Sequence, residues 1–349
     1  MKFEEWIKGR KTVNIGWFGG SITAGAGSSW GPKTRYAALV TAGLNAKYPE
    51  VEFIETNASI GGTGSSLGIF RLQSDLLDKN PDIVFIEFAR NEGPADTKKY
   101  MECLVRLLQR YRKDIPIVFV YTLALDVYKN CYAKGEWGGT ETEQQKVADY
   151  YNIPSINVAR DLAAKIGSEE EFRNFFIDVV HPNDGGHASY AETILRELPT
   201  LDFNIKTDLP IFSEPVCENP RLVFAEEIAK TAKMDGFFHT PRNLCGRTPT
   251  YLWANEPGAT LHFEFDGSVI GAYYGIFRSS GSYALSIDGG EWENRTTWDR
   301  HGLEFDRIHY CVWRTDLADG HHTVDIKILP DKDPASEGTY FRLGAFLVG

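Results

Sequence analysis

The chain has 349 residues, 42 % of them hydrophobic, and its 37 basic and 48 acidic side chains give a formal charge of −11. That length favours two domains over one core, and an acidic balance without a Lys/Arg run argues against nucleic acid or a membrane surface as partner, because phosphate binding needs a basic face. Five scattered cysteines (Cys103, Cys131, Cys217, Cys245, Cys311) with no Cys-x-x-Cys, and an N-terminus Met1-Lys2-Phe3-Glu4-Glu5-Trp6 without a signal-peptide apolar run, point to free thiols in a cytoplasmic protein.

From the N-terminus, residues 13–18 are an apolar run ending in glycines, the pattern of a short strand. Residues 34–48 place Tyr36, Leu39, Val40 and Leu44 at helical spacing, 51–56 alternate as a second strand, and 67–78 read as a helix. Residues 82–88 are apolar enough for a strand buried on both faces. Residues 98–112 carry Met101, Leu104, Val105, Leu108 and Tyr111 on one helical stripe. A strand over 117–123, a helix over 140–151, a strand over 153–158 and a helix over 186–198, stopping at Pro199, complete the series. The longest apolar run, near Ile115 to Leu125, is too short to span a bilayer and fits a buried strand. Repeated strand–helix units predict a parallel sheet covered by helices, with function at the carboxyl ends of its strands.

The texture changes near Leu201. Residues 1–203 are assigned to the first domain, the irregular, Pro-containing stretch 204–220 to a linker, and 221–349 to a second domain. There, short alternating runs at 260–265, 269–276, 282–287, 308–314, 322–328 and 341–348 are punctuated by Asp266-Gly267, Asp288-Gly289-Gly290 and Asp319-Gly320 turns. Almost no helical periodicity remains, so this half predicts an antiparallel β-sandwich.

Four short motifs fall after predicted strands or in the last loop of the first half: Phe18-Gly19-Gly20-Ser21-Ile22-Thr23, Asn57-Ala58-Ser59-Ile60-Gly61-Gly62, Ala89-Arg90-Asn91-Glu92-Gly93 and Asp178-Val179-Val180-His181-Pro182. A serine at a Gly-Gly turn exposes its hydroxyl, which attacks only when a base removes its proton. His181 has the residue type for that base, and Asp178, three residues earlier, for fixing the ring's tautomer. The Ser21 and Gly62 backbone N–H groups and the Asn91 side-chain amide are candidate oxyanion donors, each worth about 3–4 kcal/mol of transition-state stabilisation. Taken alone, each motif also fits a plain turn or a helix cap; their joint occurrence favours catalysis. His187 is the rival histidine, and its place at the start of the last helix favours a structural role.

On these motifs residues 10–200 resemble the SGNH (GDSL-type) hydrolase superfamily. The resemblance implies a three-layer α/β/α flavodoxin-like fold, no metal, Ser21 as nucleophile, His181 and Asp178 as base and orienter, and Ser21, Gly62 and Asn91 as oxyanion donors. Two departures stand out. The usual Gly-Asp-Ser is Gly19-Gly20-Ser21, and the usual Gly-x-Asn-Asp is Ala89-Arg90-Asn91-Glu92, which puts Arg90 and Glu92 near the site with a possible effect on substrate choice.

The second half is rich in aromatics: Trp253, Tyr273, Tyr274, Phe277, Tyr283, Trp292, Trp298, Tyr310 and Trp313. Most belong in a sandwich core, whereas the loop residues Trp292 and Trp298 are expected at the surface, where an aromatic face can stack on a sugar ring. Trp30 and Trp137 lie in loops of the catalytic face and, with Arg90, complete the candidate substrate-binding set. Domain order, length and the Gly-Gly-Ser-Ile-Thr variant resemble the acetylmannan esterases of carbohydrate esterase family 17, which join such a domain to a jelly-roll-like module similar to carbohydrate-binding family 35. This resemblance implies an acetylated oligosaccharide substrate, notably 2-O-acetyl groups of plant mannan fragments, and no cofactor, with a structural Ca2+ possible in the β-domain, for which Glu226, Glu227 and Asp325 are candidate ligands. The alternatives are a lipase, lysophospholipase or thioesterase on acyl chains, an acetylxylan esterase, and an inactive glycan-binding protein.

Overall fold

The computed structural model describes residues 1–349. They form two compact units, Met1–Val216 and Cys217–Gly349.

The first unit runs α1 (Phe3–Ile7), β1 (Thr12–Gly19), α2 (Ser21–Ala24), α3 (Gly31–Thr34), α4 (Tyr36–Lys47), β2 (Glu52–Asn57), α5 (Ser65–Asp75), β3 (Ile83–Glu87), α6 (Thr97–Tyr111), β4 (Ile117–Val120), α7 (Leu125–Asn130), α8 (Gly139–Tyr151), β5 (Ser155–Ile156), α9 (Val158–Ala163), α10 (Glu169–Phe172) and α11 (Asp184–Glu197). All five strands are parallel, in the order β2-β1-β3-β4-β5. That order is flavodoxin-like, and its topological switch point lies at β1 and β3, where α/β sheets place their ligand crevice. Every residue of β3 and β4 is buried, as their unbroken apolar runs require of central parallel strands. Fully buried Trp17 of β1 stacks on Phe85 of β3, ring centroids 4.3 Å apart, and meets Tyr36 of α4 edge-on. α6 buries Met101, Leu104, Val105 and Leu108 along the stripe its spacing predicts. No helix is long and apolar enough to cross a membrane.

Differences from the sequence reading have local causes. The helix expected over 34–48 starts two residues late, at Tyr36, because extended Arg35 separates it from a preceding single turn, α3, which has Pro32 in its first turn. The strand expected over 153–158 shortens to two residues because the Asn157 side chain accepts the Arg160 N–H and caps α9. Part of the stretch expected as a linker is fastened to this unit. Lys206 donates its N–H to the Tyr151 carbonyl, Arg106 donates to the Leu209 carbonyl, and the Phe212 and Ser213 N–H groups bond the buried Glu102 carboxylate at 2.7 and 2.6 Å.

The second unit contains β6 (Arg221–Phe224), α12 (Ala225–Thr231), β7 (Lys233–Asp235), β8 (Phe238–Thr240), β9 (Tyr251–Ala254), β10 (Thr260–Asp266), β11 (Ile270–Ile276), β12 (Ser282–Ile287), β13 (Glu293–Thr296), β14 (Arg307–Arg314), β15 (His321–Ile328) and β16 (Phe341–Val348). One antiparallel sheet runs β13-β12-β15-β10-β7 and the other β14-β11-β16-β9-β8, with β6 also pairing β16. Their inner faces share one core, in which Phe263 of the first sheet stacks on Phe346 of the second at 4.9 Å. Tyr273, Tyr274, Tyr283 and Trp313 are buried. Helix α12, too short to show a clear period, was not foreseen. It also separates the suggested calcium ligands: Glu226 and Glu227 sit on α12, paired with Lys230 and Arg221, while Asp325 on β15 pairs with His262. No group of three or more His, Cys, Asp or Glu residues is placed to hold a metal ion.

Candidate active site

The end of β1 is crowded, which explains its glycines. A Cβ on Gly19 would lie 2.5 Å from the Glu87 carbonyl oxygen, and one on Gly20 would overlap Asn91 Oδ1. The Gly20 N–H donates to the Glu87 carbonyl at 3.1 Å, closing the β1 turn onto β3. Ser21 is the first residue of α2, so its own N–H is not used by the helix. Beneath it Thr23 donates its hydroxyl to Glu87 Oε2 at 2.8 Å and accepts the Tyr36 hydroxyl at 2.7 Å, while Thr122 donates to Glu87 Oε1 at 2.9 Å. Burial pushes the Glu87 carboxyl above the ordinary range, partly opposed by those hydroxyls.

His181 Nε2 lies 2.9 Å from Ser21 Oγ, and His181 Nδ1 lies 2.7 Å from Asp178 Oδ2. The other carboxylate oxygen accepts the backbone N–H groups of Val180 and His181 at 2.8 and 2.7 Å. The ionised carboxylate therefore takes the Nδ1–H and leaves Nε2 as acceptor for the serine proton, a tautomer assigned from these partners. Partial burial alone would raise the Asp178 carboxyl, but the His181 and Val180 bonds outweigh it and hold the group below its usual range. The loop closes on itself, with the Ile177 N–H donating to the His181 carbonyl at 2.9 Å.

The Gly61-Gly62 turn lies against the serine: a Cβ on Gly61 would sit 3.5 Å from Ser21 Cβ. Gly62 has φ +71° with open space around it, so the backbone conformation rather than crowding calls for glycine. Asn91 brings its side-chain amide to the Gly20 Cα. Buried Arg71 of α5 braces the platform, donating to the carbonyls of Ala58 and Gly19 with its guanidinium 4.2 Å from the Phe18 ring. His187 is fully buried. Its Nδ1 accepts the Tyr36 N–H at 3.3 Å, its Nε2–H donates to the Ala26 carbonyl at 3.1 Å, and burial pulls it down to about 4, so it stays neutral.

The five residues proposed to contact substrate part ways. Arg90 is a correction: its side chain is 5 % exposed and pairs with Glu141 of α8, itself 1 % exposed, so it holds a loop in place and does not face substrate. Trp30 is 55 % exposed, with Lys33 Nζ 4.3 Å from its ring centroid covering one face. Its loop lies against the histidine loop: a Cβ on Gly27 would strike the Pro182 carbonyl, and Ser29 bonds Asp184 through N–H and hydroxyl. Trp137 is half-buried, edge-on to Tyr121 at 5.7 Å. Trp292 is 52 % exposed. Trp298 is half-buried with its Nε1 shielded from solvent, and the neighbouring Asp299 pairs with Arg307. Sequence reasoning gave no role to Glu87 and Arg71, whose signal was a lone charge inside a buried apolar strand or helix face, nor to Thr23, which stood in the nucleophile motif without one.

A serine–histidine–carboxylate relay at the switch point of a flavodoxin-like sheet is the arrangement of a serine-type ester hydrolase. Residues 17–188 match the GDSL-like lipase/acylhydrolase family, and the protein is an esterase. The whole chain is similar to the structure of a two-domain esterase (CEX) active on acetylated mannans, co-crystallized with mannopentaose. The TM-score is 0.84 at 22 % identity, covering 99 % of this chain and 92 % of that one. A further structure of a two-domain esterase (CEX) active on acetylated mannans gives a TM-score of 0.84 at 23 % identity over 99 % and 93 %. At such identity the likeness is one of fold. No curated protein matches the chain in sequence.

Proposed function

We propose that the protein is a serine carbohydrate O-acetylesterase that removes acetyl groups, in particular 2-O-acetyl groups of mannan oligosaccharides, through an acetyl-enzyme on Ser21. The observation that carries the chemistry is the unbroken line Ser21 Oγ, His181, Asp178 at 2.9 and 2.7 Å. The substrate class is supported by the two-unit fold shared along 99 % of the chain with an esterase described as active on acetylated mannans.

Ser21 Oγ bonds to the acetyl carbonyl carbon as its proton passes to His181 Nε2. Asp178 stabilises the resulting imidazolium. The oxyanion is met by the N–H groups of Ser21 and Gly62 and the amide of Asn91. Collapse breaks the bond to the sugar oxygen, which takes the proton from His181. Water then gives a proton to the same nitrogen and attacks the acetyl-enzyme; acetate leaves and Ser21 Oγ regains its hydrogen. The uncovered face of Trp30 offers a sugar ring an apolar platform beside this centre.

The test is acetate release from acetylated manno-oligosaccharides, beside acetylated xylo-oligosaccharides and an acyl-chain ester series, with Ser21→Ala as control. Rapid mannan deacetylation that disappears in Ser21→Ala supports the whole reading. Activity confined to xylan or long acyl esters keeps the mechanism and overturns the substrate, and no activity on any ester overturns both.

A further inference from the structure

Three loops carry the groups that surround the serine hydroxyl, and they meet at one point. A Cβ on Gly20 would touch Asn91 Oδ1 and lie 3.5 Å from the Thr63 carbonyl oxygen, while one on Gly64 would lie 3.4 Å from the Asn91 carbonyl oxygen and 3.6 Å from Glu92 Cβ. Across that junction runs a single carboxylate. Glu92 Oε1 accepts the Ser65 N–H at 3.1 Å, and Glu92 Oε2 accepts the Ser65 hydroxyl at 2.7 Å. Ser65 is the first residue of the eleven-residue helix α5 and follows Gly61-Gly62-Thr63-Gly64 directly. A carboxylate there satisfies an orphan N–H and meets the positive end of the helix. Behind it, Thr140 of α8 donates to the Glu92 carbonyl at 3.2 Å, and Arg90 is locked to Glu141.

We infer that Glu92 is a positioning residue for the oxyanion site: by gripping Ser65 through both oxygens it fixes Asn91 on one side and Gly62, three residues before Ser65, on the other. The inference rests on the assignment of Gly62 and Asn91 as oxyanion donors made above. Glu92 is half-buried, and withdrawing a carboxyl from water is costly unless it is bonded; the loss of solvent pushes this one up to about 7. Two acceptors directed at one residue set both a distance and an angle. A side-chain amide keeps one acceptor and turns the other into a donor, which the Ser65 hydroxyl can still meet.

The experiment is a double-mutant cycle with an aryl acetate as substrate. Glu92→Ala is expected to lower kcat by roughly 10- to 100-fold with little change in KM, the scale of an ångström-level displacement of a catalytic group. Glu92→Gln is expected to recover most of that loss. In the Asn91→Ala background, Glu92→Ala should add much less than it does alone, because a residue acting through Asn91 has little left to position. Effects that multiply in the double variant, or a kcat for Glu92→Ala within about twofold of the parent, overturn the proposal. Should Glu92→Ala fail to fold, Ser65→Ala replaces it in the same cycle and is judged by the same outcomes. If Asn91→Ala itself leaves kcat unchanged, the oxyanion assignment is what has failed; a large loss there with none from Glu92 or Ser65 sinks the positioning role alone.

Discussion

Two loops bring polar side chains to Ser21, and they are held in opposite ways. The loop of Asp178 and His181 braces itself: its carboxylate takes two of its own backbone N–H groups and its own imidazole, and its carbonyl at His181 takes the N–H of Ile177. The loop of Arg90, Asn91 and Glu92 depends on the start of α5, on α8 and on the Gly20 turn. The bonds between the first loop's catalytic groups are set within a few residues, with the Leu125 N–H on the Val179 carbonyl and the Gly27–Ser29 loop holding it from outside. The second is only as accurate as the packing of three elements distant in sequence.

That contrast fixes where substitutions should hurt and how. Asp178→Asn leaves the self-braced loop close to its shape but removes the charge that opposes the imidazolium, so kcat should fall by about 10⁴-fold with a modest change in melting temperature; a loss under tenfold would break the assignment. Arg90→Ala attacks the remotely held loop. It strands Glu141 without its partner and is expected to cost about 3–5 kcal/mol of stability, read by denaturant unfolding, whereas an apolar pair at 90 and 141 should recover most of it.

Glu92 adds a pH signature to the remote loop. Its carboxyl is raised, from an ordinary 4.5 to about 7, mainly by burial, with Glu87 nearby adding to the shift and the Ser65 and Thr97 bonds opposing it. A raised carboxyl contributes stability that is complete below about 4.5 and lost as pH climbs through 7, on the order of 3 kcal/mol at most. Glu92→Gln is neutral throughout, so its stability relative to the parent should improve between pH 5 and 8; a flat difference across that range would deny the shift. The smallest effect is expected outside both loops. Trp30→Ala should raise KM for acetylated oligosaccharides roughly two- to tenfold, the worth of one aromatic contact, and spare small aryl acetates. Equal losses on both would remove Trp30 from the substrate site.

The same contrast governs what could be read from sequence. Asp178 and His181 are legible because their interaction is a three-residue spacing, and β3 is legible because burial on both faces leaves an unbroken apolar run. Arg90 reads as a substrate contact from sequence because its partner Glu141 is far along the chain on another helix. Trp298 is only half-exposed despite polar neighbours, since the Asp299 side chain accepts the N–H groups of His301 and Gly302 and pairs with Arg307, partners that spacing alone does not reveal. α12 and β7–β9 escaped notice because segments of three to seven residues carry too little periodicity to register.

The contact between Gly20 and the Asn91 amide also constrains which sequences are reachable one step at a time. Gly20→Asp would produce the Gly-Asp-Ser more usual in proteins this one resembles, but the added carbon would occupy the space of the Asn91 amide oxygen. That single change should therefore disable the enzyme, and so should any other side chain at position 20. The two spellings of the nucleophile turn are separated by a step in which the Asn91 side chain must give way, and with it the amide assigned to the oxyanion. A library that varies position 20 alone should return almost nothing but the parent, while one that varies 20 together with 89–93 has a route across.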